Sequence, residues 1–121
     1  MDESNRRQFI RVDVHRDAHL YFGARNYRHS INNLSLGGMF VTGSSKQKPG
    51  DLCRIRFSSS GIQENEDFDA AASVVRVSED GMALHFTSMG LDSFLRLQTM
   101  LLYETGDSLV LGEEPVSYAL L

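Results

Sequence analysis

The sequence predicts a mainly-β domain, an antiparallel barrel or sandwich, followed by a single helix near its C-terminus. Three observations carry that prediction. Apolar residues alternate with polar ones in several short runs, the period-two signature of half-buried strands. Turn-forming residues recur at short intervals between those runs, as in all-β domains. After Thr87 the apolar period changes to helical spacing and holds that spacing to about residue 104.

Residues 1–13 show no sustained periodicity and read as a flexible N-terminal arm, with Phe9, Ile10 and Val12 available to anchor its end. From Ala18 the alternation begins: Ala18, Leu20 and Phe22 share one face, and His19 and Tyr21 the other. Gly23-Ala24-Arg25-Asn26 reads as a turn, and Tyr27 to Ile31 as a second strand leading into a loop at Asn33–Gly38. Met39-Phe40-Val41 resumes the extended run before Thr42-Gly43-Ser44-Ser45 ends it. Pro49-Gly50 marks a turn. The strand at Leu52–Phe57 sets Cys53, Ile55 and Phe57 inward and Arg54 and Arg56 outward. A polar loop with an acidic run, Glu64-Asn65-Glu66-Asp67, precedes a long strand from Phe68 to Val77. Asp80-Gly81 suits a hairpin connection, and Met82, Leu84 and Phe86 alternate after it. The helix spans about 91–104, with Asp92 in its first turn and Gly106 past its end. Leu91, Phe94, Leu95, Leu101 and Leu102 are expected to pack on the barrel. Three segments follow: the arm 1–13, a barrel-plus-helix domain 14–105, and an extension 106–121 that either covers a barrel edge or makes a dimer contact.

Composition bounds the function. The chain has 121 residues, enough for one core and too few for two ordinary domains. With 41% hydrophobic and 23% charged residues it has a globular balance. No apolar run is long enough to span a bilayer, and the polar N-terminus lacks the apolar stretch of a secretory signal. The single cysteine, Cys53, excludes an internal disulfide and fits a reducing compartment, so the expected location is cytoplasmic, with no membrane partner. Net charge is -4 but uneven. The first 28 residues carry six arginines (6, 7, 11, 16, 25, 28) against four acids (2, 3, 13, 17), a balance of +2, leaving -6 for the rest. An acidic body argues against a long nucleic-acid footprint, which rests on many phosphate contacts. A basic arm on that body suits a small anionic ligand.

Two short motifs stand out. Arg7 and Arg11 form Arg-x-x-x-Arg, preceded by Arg6. Asn33-Leu34-Ser35-Leu36-Gly37-Gly38 has the form (Asp/Asn)-x-Ser-x-x-Gly. The guanidinium fork pairs bidentately with phosphate oxygens and stacks on flat rings. Asn33 offers an amide and Ser35 a hydroxyl toward a base edge or a phosphate. Gly37 and Gly38 permit positive φ and a close backbone approach. Each motif alone also has a bland reading: a solvated arm, and a tight turn whose Asn and Ser bond their own backbone.

In this order and at this separation, followed by a short all-β pattern, the pair resembles the signature of PilZ domains, the bacterial receptors for cyclic di-GMP. The resemblance covers roughly residues 6–104. It implies a six-stranded antiparallel β-barrel with one C-terminal α-helix packed on it, closed by a hairpin resembling Ala72–Val77 and Gly81–Phe86. It further implies a ligand site built from Arg7, Arg11, Asn33, Ser35, Gly37 and Gly38. The ligand fits those residue types, because guanine presents O6 and N7 as adjacent acceptors that an arginine fork matches. Many members carry Asp where this chain has Asn33, which accepts at one atom only. In the family an arginine at the position of Arg6 accompanies two stacked cyclic di-GMP molecules, so two per chain are expected. Arg76 joins the site if its strand lines it.

Other constellations point to structure. His15 and His19 lie in or beside a strand with no further ligands for zinc. Ser35, Asp69 and His85 lack the spacing of a triad, and Ser35 sits in no nucleophile elbow. Cys53 and the methionines read as core. The expectation is a non-catalytic receptor, without cofactor or metal, a monomer or weak dimer. It signals by ordering its arm to alter the surface seen by an unidentified protein partner. Two alternatives stand beside it: a PilZ-like module that makes protein contacts without ligand, and a small barrel that binds single-stranded nucleic acid.

Overall fold

In the computed structural model, residues 12–43, 46–58 and 66–105 are described. They form six strands and a helix: β1 (Val12–Phe22), β2 (Arg25–Leu34), β3 (Gly38–Thr42), β4 (Leu52–Phe57), β5 (Phe68–Ser78), β6 (Gly81–Met89) and α1 (Leu91–Thr105). All neighbouring strands are antiparallel, and they close into a barrel in the order β1-β2-β3-β6-β5-β4. Closure, which leaves no open sheet edge, is made by β1 on β4, where Leu20 faces Ile55. The expected arm (1–13) therefore meets the barrel at Val12, and its residues 1–11 lie outside the described residues, as does the extension 106–121.

Alternation fills the barrel. Leu20, Leu34, Val41, Ile55, Phe57, Phe68, Val74, Met82 and Phe86 are buried in one cluster. Its aromatic centre is Phe68, stacked on Phe57 at 4.5 Å between ring centroids and tilted against Phe86 at 5.6 Å. β1 starts well ahead of Ala18 because a bulge between Asp13 and Arg16 breaks the alternation there. It still turns Val14 into the core. A second bulge, between Val74 and Arg76 of β5, makes Val75 the extra residue. Val75 and Arg76 are therefore both exposed, where strict alternation along the strand would set them on opposite faces. Ahead of β4, Gly50 and Asp51 are tied to β5 by Gly50 N–H to Val74 C=O (2.7 Å) and Val74 N–H to Asp51 C=O (2.8 Å).

Helix α1 corrects the sequence reading in its phase. Phe94, Leu97, Met100 and Leu101 are buried, while Leu91, Leu95 and Leu102 are 59%, 48% and 37% exposed. The helix carries apolar residues around most of its circumference, so its own pattern does not select a buried face. The barrel selects it. Ser93 Oγ accepts the Asp69 N–H at 3.1 Å, and Arg96 pairs with Asp67 at 3.5 Å, which fixes the rotation against the start of β5. Among the described residues no helix is long and apolar enough to cross a membrane.

Candidate functional site

The hairpin between β2 and β3 is built from alternate residues with different duties. A bulge between Ile31 and Asn33 resets β2 so that Leu34 points inward and Asn33 outward, half-buried. Asn33 is therefore on a strand, and the connecting loop is shorter than Asn33–Gly38. Leu34 and Leu36, two of the motif's three variable positions, are fully buried. Between them Ser35 closes the turn. Its Oγ accepts the N–H groups of Gly37 (3.1 Å) and Gly38 (3.2 Å) and donates to the Gly38 carbonyl (3.3 Å). The Ser35 N–H donates to that same carbonyl at 2.9 Å. A hydroxyl offers one donor and two acceptor sites, so the Ser35 side chain is saturated within its own loop. Ser35 holds the hairpin in shape, and Asn33 is the motif's outward polar side chain.

The glycines serve the barrel. The Gly37 carbonyl accepts the Phe86 N–H at 2.9 Å, which extends the β3–β6 ladder into the loop. Gly38 has no positive φ, contrary to expectation. Its requirement is contact: a Cβ there would stand 2.0 Å from the Leu84 carbonyl oxygen of β6. At the far end of the same strand pair, Gly81 would set a Cβ 1.9 Å from the Val41 carbonyl oxygen.

Register then extends the site across the outer face. Asp13 is opposite Asn33, Asn33 opposite Phe40, Phe40 opposite Ala83, and Ala83 opposite Arg76. Directly opposed residues share a face, so these five make one row over five strands. Asn33 and Arg76 lie three strand spacings apart, about 14 Å. Arg76, on β5, thus shares a face with Asn33. Arg6, Arg7 and Arg11 lie outside the described residues, but Arg11 directly precedes Val12, and Val12 pairs with Leu34. The arm therefore joins the barrel beside the Asn33 hairpin. Phe40, Ala83 and Asp13 were not singled out in the sequence, and only their pairing across strands brings them to the row.

Four other arginines of the barrel are occupied elsewhere. Arg28 pairs with Asp17 at 2.7 Å, and Arg54 and Arg56 share Asp69 at 3.0 and 3.8 Å. Arg16 donates to the Ser58 carbonyl at 2.8 Å. Cys53 faces the core, where burial pushes its thiol up to about 11.

Comparison with known proteins agrees with this architecture. The chain resembles the Bacillus subtilis inhibitor of motility MotI/DgrA (TM-score 0.67, 21% identity) over 84% of its own length, and spans about half, 52%, of that protein. It resembles the PilZ domain of CeSA from a cellulose-synthesizing bacterium (TM-score 0.59, 17% identity), covering 80% of this chain and 96% of that one. It also resembles the PilZ domain of Escherichia coli YcgR, solved with c-di-GMP (TM-score 0.61, 13% identity), covering 91% and 99%. At these identities the likeness is one of fold. No curated protein sequence matches the chain. The PilZ domain family model matches residues 5–103, a span that takes in the Arg7/Arg11 arm, the Asn33 hairpin and nearly all of the helix. On that match, and on a six-stranded antiparallel barrel with one C-terminal helix, the chain belongs to the PilZ domain family.

Proposed function

We propose that this chain is a non-catalytic, cytoplasmic receptor for cyclic di-GMP that signals through its N-terminal arm. The observation that carries the reading is the Val12–Leu34 pair, which roots the arginine arm beside the Asn33 hairpin. Arg7 precedes Val12 by five positions, a length of chain that can reach across about 17 Å. That reach spans the row from Asn33 to Arg76. The arginines clamp phosphates and guanine O6/N7 edges, the Asn33 amide meets a base edge, and Arg76 supplies a cation at the far end of the row. Ser35, Gly37 and Gly38 act by shaping the hairpin that presents Asn33. With Arg6 as a third cation of the arm, the site takes two stacked ligands, whose four phosphates demand cationic partners at close range. Ligand binding orders the part of the arm that precedes Val12 on the barrel and changes the surface offered to a protein partner, the protein acting as a monomer or weak dimer.

One observation favours a second reading, a module that makes protein contacts without ligand. The Ser35 and Gly38 positions are already accounted for by hydrogen bonding and strand contact within the barrel, so a hairpin of this form has a structural use of its own.

Hydrogen exchange and the arm variants separate the two. With cyclic di-GMP, amides of residues 5–11, ahead of β1, are expected to slow. Arg7→Ala and Arg11→Ala are each expected to cost about 1–3 kcal/mol of binding, and Arg6→Leu to lower the number bound toward one. Unchanged affinity in the Arg7→Ala/Arg11→Ala double variant refutes the site.

A further inference from the structure

Phe40 is the residue of the outer row that neither the motif nor the barrel core explains. It lies on β3 between Asn33 on β2 and Ala83 on β6, directly opposite both. It is half-buried, and it stands outside the hydrophobic cluster that every inward side chain of β3 joins. Its neighbours in the strand, Met39 and Val41, take the inward positions. A phenylalanine on the outer face of a closed barrel gains nothing from the core. Its neighbours in the row are small: Asn33 carries a short polar amide, and the Ala83 side chain is a single carbon. Arg76 stands one strand further on, about 10 Å from Phe40.

We infer that Phe40 is a stacking platform for a purine base of the ligand, placed so that Asn33 addresses the edge of that base and Arg76 a phosphate beyond it. The inference rests on the reading of the site as a cyclic di-GMP receptor and names a base contact within it. The chemistry is general. Aromatic side chains accept any nucleobase on their π-face, and such stacking is sequence-tolerant. An apolar shelf with a hydrogen-bonding amide on one side and a guanidinium on the other matches a base with a polar edge and a phosphate attached through its sugar. Phe40 therefore supplies affinity for a flat base, while Asn33 and the arginines supply the choice of guanine.

The chain contains no tryptophan, which makes a direct optical test available. Phe40→Trp introduces a unique indole, and a guanine stacked on it quenches its emission. Tyr21→Trp serves as the control, since Tyr21 lies eight residues along β1 from Asp13, about 26 Å away. Saturating cyclic di-GMP is expected to quench Phe40→Trp strongly and to leave Tyr21→Trp unchanged. In parallel, Phe40→Leu keeps apolar bulk but removes the ring, and is expected to bind about tenfold to a hundredfold more weakly. Phe40→Tyr restores the ring and is expected to bind within about twofold of the unmodified protein, with thermal melting confirming that each variant is folded. Wild-type affinity in Phe40→Leu, or a Phe40→Trp emission indifferent to bound ligand, overturns the platform while leaving the receptor reading intact. Failure of the unmodified protein to bind cyclic di-GMP overturns the receptor reading and the platform with it.

Discussion

Replacing Gly38 by alanine adds one methyl group at the point where β3 lies closest to β6. The added carbon would stand 2.0 Å from the Leu84 carbonyl oxygen and 3.0 Å from its carbon. Ordinary contact needs about 3.4 Å, so the strands must separate by more than an ångström at this end. Three features of the ladder resist that movement: the Phe86 N–H to Gly37 carbonyl bond at 2.9 Å, the Gly38–His85 pair and the Met39–Leu84 pair. Losing one or two such bonds costs about 0.5–1.5 kcal/mol each, and the local overpacking about 1–3 kcal/mol more. The expected destabilisation is about 2–4 kcal/mol. In a domain of this size that lowers the melting temperature by roughly 10 °C. Urea unfolding followed by far-ultraviolet circular dichroism measures the first quantity and thermal melting the second. A Gly38→Ala variant within about 0.5 kcal/mol of the unmodified protein, yet impaired in binding cyclic di-GMP, refutes the reasoning, since it assigns Gly38 to the ligand instead of the strand pair.

Three further outcomes follow from the same geometry. Ser35→Ala leaves the buried Gly37 and Gly38 amides without their Oγ acceptor and is expected to cost about 1–3 kcal/mol of stability in the absence of any ligand; an unaffected denaturation midpoint contradicts the saturated hydroxyl. Leu97→Ala is expected to cost about 2–5 kcal/mol and Leu95→Ala within about 0.5 kcal/mol, because the first is fully buried and the second half exposed; the reverse order in urea unfolding refutes the rotation assigned to α1. Burial lets Cys53 keep its proton to about 11 in the native state, against 9.0 for a free thiol. Between those values the unfolded chain ionises while the native one does not, so stability falls as pH rises through this window by up to about 2 kcal/mol. Native Cys53 is also expected to resist thiol reagents at pH 8, and rapid modification without unfolding contradicts its burial.

Much of the barrel was legible because half-buried strands write their two faces into the chain. Leu20, Ile55, Phe57, Leu84 and Phe86 all fall on the inward side that alternation assigns them. The strand start at Val12 and the outward Val75 were not legible. The first lies just ahead of a bulge and the second within one, and the extra residue of a bulge breaks the period and leaves no compositional mark. The phase of α1 was misread through Leu91, Leu95 and Leu102, because a helix apolar on several sides takes its orientation from the surface it meets. In this protein that surface is the Asp69–Ser93 contact. The Asn33 hairpin was found by its motif, but the division of labour inside it was hidden. Ser35 and Gly38 read as ligand-facing residues until the hydroxyl's three bonds and the Leu84 carbonyl account for them. The row through Phe40, Ala83 and Arg76 is a property of strand register, which joins residues far apart in the chain.

The central claim, that an arginine arm rooted at Val12 and the outward Asn33 row form a receptor for cyclic di-GMP, is tested most directly by isothermal titration. Cyclic di-GMP is titrated into the unmodified protein at concentrations well above the dissociation constant, with GMP and cyclic di-AMP as controls. The account predicts saturable binding of cyclic di-GMP at two molecules per chain, and much weaker heats with either control. Absence of binding, or equal binding of cyclic di-AMP, contradicts it.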